Sequence, residues 1–404
     1  MASSNPKTKI KIAIMSFCLL IMGVIAIAGG MGVIAAQFPS SHVNELIAFP
    51  SISVIVVTLL AGKLQEVVSS KLLVIIGIIF FLVGGLIPVF VDDYNLIIVT
   101  RFIIGIGIGL IQALAPALIG TNFDGDERQR VMGLLATFQM VGVAVMLQLG
   151  GILAQIGWNF TFYVHFIAVV SLICVIALLP YDKPREKANG NPDENAVKEK
   201  PKLTPSSISW ALIMMVFFFG GMVLTQYMAQ YMTIHQFGGQ AAEGAAMSGT
   251  ALLFHAVGGI AGGILYGKLV MATRNTTISI GLFIGVASYL MAGFSENVPL
   301  AIAGSFLYGI TISFVVASVL NYASGAVSPA AIPLSVVFAI CGQNVGQFLC
   351  PYIAEPIGKL LVSDDMYRGT FIFGAALLAV MAVCLMVWGI RRNSKEKLAL
   401  ERAV

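Results

Sequence analysis

The chain is a succession of long apolar runs, at about 10–37, 46–62, 72–91, 94–120, 131–156, 160–180, 208–235, 244–267, 277–294, 299–322, 333–357 and 367–390. Most approach or exceed the roughly 20 apolar residues that a helix needs to cross bilayer hydrocarbon. Only 10% of the 404 residues are charged, too few to cover a soluble body of this size. The expected fold is therefore an all-α membrane protein with twelve transmembrane helices, and an ordinary water-soluble enzyme is excluded. The first run follows Lys7, Lys9 and Lys11 but is too long for a signal-peptide core, so it stays as the first span.

The few charges fall unevenly. If both termini are cytoplasmic and the spans alternate, twenty of the 23 basic residues lie on the cytoplasmic side. Lys359 and Arg368 fall outside, and Arg101 falls within a span. Outside also collect Glu45, Asp92, Asp93, Glu243, Glu296, Glu355, Asp364 and Asp365, leaving no carboxylate near the middle of any span. This asymmetry points to N- and C-termini in the cytoplasm, and the expected location is the plasma membrane.

One polar segment, Asp182 to Ser206, mixes Pro, Asn, Lys and Glu as a flexible linker does. It divides the chain into an N-terminal six-helix bundle (1–181), a cytoplasmic linker (182–206) and a C-terminal six-helix bundle (207–404). The halves resemble each other at an almost fixed offset, as internally repeated transporters do. Gly62-Lys63-Leu64 recurs as Gly267-Lys268-Leu269, Phe102 and Gly105 as Phe306 and Gly309, and Gln139, Val141 and Gly142 as Gln343, Val345 and Gly346. The bundles are thus expected to be pseudo-symmetric.

The five cysteines lie in apolar runs without CxxC or Cys/His spacing, so they read as small core residues, and no metal site is expected. Gly105-x-Gly107-x-Gly109 sits inside a long apolar helix and reads as close helix packing rather than a phosphate loop. No catalytic arrangement, cofactor or nucleic-acid partner is indicated. The expected partners are a small-molecule substrate, the lipid bilayer and protons.

Polar residues inside the spans are the candidates for function. Arg101 lies about 10 Å below the outer end of the fourth run, where a guanidinium is costly unless it is paired or faces water. It either meets a substrate or braces the bundle. Gln112 lies about 20° around the same helix. Gln226, Tyr227, Gln230 and Tyr231 give the seventh run a polar-aromatic face suited to a small organic solute, or to an interfacial belt. Gln139, Gln343, Asn344 and Gln347 supply either a neutral lining or interhelical hydrogen bonds. His255, near mid-membrane, is the proton-coupling candidate, ahead of His165. Pro50, Pro88, Pro116, Pro333 and Pro351 are expected to interrupt helices.

The sequence resembles the major facilitator superfamily from the first run to the last. The loop Gly62-Lys63-Leu64-Gln65-Glu66-Val67-Val68-Ser69-Ser70-Lys71 is similar to the family's G-x-L-x-D-R-x-G-R-[RK], keeping the Gly, the Leu, an acid and the final cation. Arg101-Phe102-Ile103-Ile104-Gly105-Ile106-Gly107 resembles R-x-x-x-G-x-G, and Gly157-Trp158-Asn159-Phe160-Thr161-Phe162 resembles G-W-R-W-x-F. Gly142 and Gly150-Gly151 fit the antiporter signature G-x-x-x-G-P-x-x-G-G, but Met146-Leu147 replace its Gly-Pro, so the drug-and-proton branch does not follow.

The resemblance implies a secondary active transporter working by alternating access, monomeric, with spans one, four, seven and ten around the cavity. It also implies gating by the loop residues Gly62, Glu66 and Lys71. Arg101, as the one buried formal charge, points to a small organic anion as substrate. The alternative is efflux of drugs or other amphipathic compounds.

Overall fold

A computed structural model describes residues 6–39, 42–182, 202–328 and 331–401. Every regular element among them is helical. Among the described residues, eleven helical stretches are long and apolar enough to cross a membrane. One of these, Ala246–Gly293, contains two of the expected runs in a single stretch. The chain separates into two compact units, Met1–Lys200 and Pro201–Val404.

The first unit contains α1 (Pro6–Cys18), α2 (Met31–Gln37), α3 (Glu45–Ala48), α4 (Pro50–Val67), α5 (Ser70–Leu86), α6 (Tyr94–Asn122), α7 (Gly125–Ala154) and α8 (Ile167–Leu178). The first apolar run is not one helix. It breaks after Cys18 into 3-10 turns at Gly23–Ile25 and Ala28–Gly30 before α2. Glycine explains the break: it weakens helix interiors and admits close approach. A Cβ on Gly29 would strike the Leu147 carbonyl of α7, and one on Gly30 would strike Thr161.

The second unit contains α9 (Pro205–Ile234), α10 (Ala241–Thr273), α11 (Thr277–Gly293), α12 (Val298–Gly325), α13 (Ile332–Leu361) and α14 (Met366–Glu401). The turn Arg274–Thr276 separates α10 from α11, with Arg274 at φ 51°. The expected linker lies mostly outside the described residues, but both of its ends are tied down. Asp182 hydrogen-bonds to the start of α5, and Thr204 forms a capping box with Ser207 at the start of α9.

The repeat seen in the sequence has a packing counterpart inside each unit. Asp93 caps α6 by accepting from Asn95 N at 2.8 Å, and Asn297, 204 residues on, caps α12 by accepting from Leu300 N at 3.0 Å. Gly105 lets α6 cross α4 against the Pro50 carbonyl, and Gly309 lets α12 cross α10 against the His255 carbonyl. Gly142 on α7 meets the Leu19 carbonyl, and Gly346 on α13 meets that of Met215. These four matched glycines are crossing points where only hydrogen fits, unlike the matched pair Gly62 and Gly267.

Pro50 starts α4 at the break that separates it from α3 within the span Glu45–Val67, and Pro88 lies in the 3-10 turn where α5 ends, as expected of interruptions. The expectation for Pro333 needs correction: it sits in the first turn of α13, where the missing N–H costs nothing. The prolines inside described helices are Pro116, Pro351 and also Pro356.

Candidate functional site

In the second unit, α9 is buried almost all round through its C-terminal half, from Gly220 to Thr233. Gln226, Tyr227, Gln230 and Tyr231 are at most 1% exposed. The two tyrosines have partners. Tyr227 Oη donates to Glu355 Oε1 at 3.2 Å, and Tyr231 Oη lies 2.9 Å from the Ser295 carbonyl and 3.3 Å from that of Gly293. The glutamines are not satisfied: among the described residues both side-chain ends of Gln226, and Oε1 of Gln230, find no hydrogen-bond partner. Buried amides without partners are costly, so such groups mark a place where a ligand or water is expected to bind.

Helix α13 contributes from the same unit. Gln347 is buried with Nε2 unpaired, Asn344 donates to its own helix at the Ile340 carbonyl (2.9 Å), and Gln343 is half-buried. Glu355, read from the sequence as an outer-end acid, lies within α13, six residues before its end, and is engaged by Tyr227. Beyond α9, His235 Nε2 meets Asp365 Oδ2 at 3.0 Å, and Arg368 Nε lies 3.6 Å from the same oxygen. Lys359, Asp364 and Tyr367 join His235 and Asp365 around a cleft of about 560 Å³. On α10, His255 is 5% exposed, with Nδ1 unpaired among the described residues and its ring 5.3 Å from that of Tyr308.

In the first unit, Arg101 is completely buried. Nη2 donates to the Gly84 carbonyl of α5 at 3.1 Å, and the guanidinium lies over the Phe162 ring at 5.1 Å. Nε and Nη1 have no hydrogen-bond partner among the described residues. His165 is also fully buried and holds the Phe162 carbonyl through Nδ1 at 2.8 Å. Gln112 and Gln139 are half-buried, so Arg101 and Gln112 occupy different surroundings on α6.

The three loop residues separate as well. Gly62 has open space where a Cβ would stand, Glu66 is exposed, and Lys71 is buried. Lys71 Nζ donates to the Ile176 carbonyl near the end of α8 at 2.9 Å and lies over the Tyr181 ring. The Asp182 carboxylate accepts from the backbone N–H groups of Ser70 and Lys71 at 3.1 and 3.2 Å, an anion on a helix N-terminus. Burial raises this carboxyl, but the hydrogen bonds from Ser70 and Lys71 outweigh it and hold the group below its ordinary range. Sequence reasoning missed Asp182 because its partner is 112 residues away. It missed Tyr289 and Tyr308 because single tyrosines in apolar runs give no periodic signal.

The Major Facilitator Superfamily model matches residues 12–351 and 271–403. The multidrug transporter protein MdtP of Bacillus subtilis is 26% identical over 118 residues, 29% of this chain and 21% of that protein. The multidrug resistance protein MdtL of Citrobacter koseri is 27% identical over 192 residues, 45% of this chain and 49% of that protein. The matches span about a fifth to a half of these relatives' length. Among solved structures, a D-xylose-proton symporter aligns with a TM-score of 0.75 at 15% identity, covering 94% of this chain and 97% of that one. A POT family transporter in complex with 5-aminolevulinic acid aligns at 0.72 and 10%, covering 97% and 98%. These structural likenesses establish the fold alone. With the family model running through both units, the chain belongs to the Major Facilitator Superfamily.

Proposed function

We propose that the protein is a secondary active transporter that moves a small organic anion across the plasma membrane by alternating access, coupled to protons. The observation carrying the substrate class is Arg101: a buried guanidinium with two unpaired nitrogens and no carboxylate within ion-pair distance among the described residues. A formal charge in that setting favours a negatively charged partner. Gln226, Gln230 and Gln347, and with them Gln112, Gln139, Gln343 and Asn344, are the proposed neutral hydrogen-bonding contacts for substrate. His255 is the proposed proton carrier, Gly62, Glu66 and Lys71 serve in gating, and the monomer is the working unit with both termini cytoplasmic.

A second reading, export of amphipathic compounds, is favoured by the relatives named as multidrug proteins. Arg101→Ala and Arg101→Lys separate substrate contact from bracing. Loss of a charge-assisted hydrogen bond predicts binding about ten- to a hundred-fold weaker for the Ala variant, with partial recovery in Lys. Unchanged affinity and rate in both well-folded variants would make the residue a brace.

A further inference from the structure

Two tyrosines outside the proposed lining converge on one point of α9. Tyr289 of α11 and Tyr308 of α12 are completely buried, with rings 5.4 Å apart in a T-shaped pair. Tyr308 Oη donates to the Gly221 carbonyl. Tyr289 Oη lies 2.9 Å from the Gly220 carbonyl and 2.7 Å from that of Gly221, and it accepts from Leu224 N at 3.2 Å. Each hydroxyl has one proton. With Tyr308 serving Gly221, the Tyr289 proton is free for Gly220 while its oxygen takes the Leu224 N–H.

Gly220 O and Leu224 N are the two ends of one i to i−4 bond of the helix ladder. A hydroxyl that touches both is inserted beside that bond, a known cause of local helix deformation. In a membrane interior, a backbone group released from the ladder must find another partner, and glycine within a helix is tolerated where neighbouring side chains provide one. Gly221 also fits Tyr308 sterically, while a Cβ on Gly220 would meet Leu377 of α14. A Cβ on Gly221 would lie 2.5 Å from Tyr308 Oη.

We propose that Gly220-Gly221 is a joint in α9 and that Tyr289 and Tyr308 are positioning residues that set the direction of its C-terminal half. That half carries Gln226, Tyr227, Gln230 and Tyr231, so the relevance of the joint to transport rests on the proposed function of this face. The joint itself does not depend on any substrate.

The test is pulsed electron-spin distance measurement on the full-length protein in lipid nanodiscs. Nitroxide labels at L212C and I234C, in a background without native cysteines, flank the joint at about 33 Å along the helix. Both positions are exposed. The expected result is a narrow distribution for the parent and at least a two-fold broader or displaced one for Tyr289→Phe. Gly221→Ala should shift the distance by expelling the Tyr308 hydroxyl. Adding Tyr308→Phe should bring it back toward the parent, a rescue that generic destabilisation would not give. Distributions unchanged in Tyr289→Phe, or a Gly221→Ala shift that Tyr308→Phe leaves in place, would overturn the proposal. A failure of substrate binding at Gln226 and Gln230, with the distances behaving as described, would remove only the site reading.

Discussion

Arg101 and Asp182 are both charged residues held by backbone groups, with opposite balance. Asp182 receives two N–H donors at the start of α5, while Lys71 from the same turn reaches back to α8, so the pair fastens α8 to α5. Because the folded carboxyl is held below its ordinary value, its stabilisation is complete above the usual carboxylate range and disappears as pH falls through the lowered value. Asp182→Asn should therefore melt below the parent at neutral pH, and the gap should close in acid, as thermal unfolding across a pH series would show. A constant gap at every pH would remove the carboxylate from the account. Arg101 is the reverse case, with one carbonyl for three nitrogens. Its singularity was legible from sequence, since every other basic residue falls in or beside a polar break. Its neighbours were not, because Gly84 and Phe162 are apolar residues with no pattern linking them to an arginine.

At the level of elements, apolar length alone located nearly every helix, because a backbone in hydrocarbon must satisfy its own hydrogen bonds and the helix does so locally. What length could not reveal was interruption. The α1–α2 region is broken by glycines that let α7 and Thr161 approach, a contact invisible in the run itself. Likewise Pro333 looked like an interruption but starts a helix. The repeated glycines gave a signal whose cause is now physical: Gly105 and Gly309 are crossing points against backbone carbonyls. Gly105→Ala or Gly309→Ala is expected to destabilise by about 1–3 kcal/mol, since rigid backbone must move to admit the methyl group. Gly62→Ala and Gly267→Ala meet nothing within 4 Å and should be neutral or stabilising by about 0.5–1 kcal/mol. Melting temperatures of the four variants, compared side by side, check the contrast. Equal effects at all four positions would contradict it.

For the whole molecule, two units with matched caps and matched glycine crossings, carrying the same family model, account for the scarcity of charge. The apolar surface meets lipid, and the few polar side chains left inside either hold helices together or, as proposed above, bind a solute. Gln226, Gln230 and Gln347 were legible as candidates because amides are rare in such runs, but that Gln226, Gln230 Oε1 and Gln347 Nε2 find no partner among the described residues while Tyr227 and Tyr231 are occupied required the packing. Transport by alternating access is the proposal that joins these groups, and it is decided most directly by uptake into proteoliposomes containing the purified chain. With labelled carboxylates, sugars and cationic dyes offered in turn, with and without an imposed pH gradient, saturable carboxylate uptake driven by the gradient is predicted. Uptake of the cationic dyes alone, or of no solute that the empty liposomes do not also admit, would contradict the account.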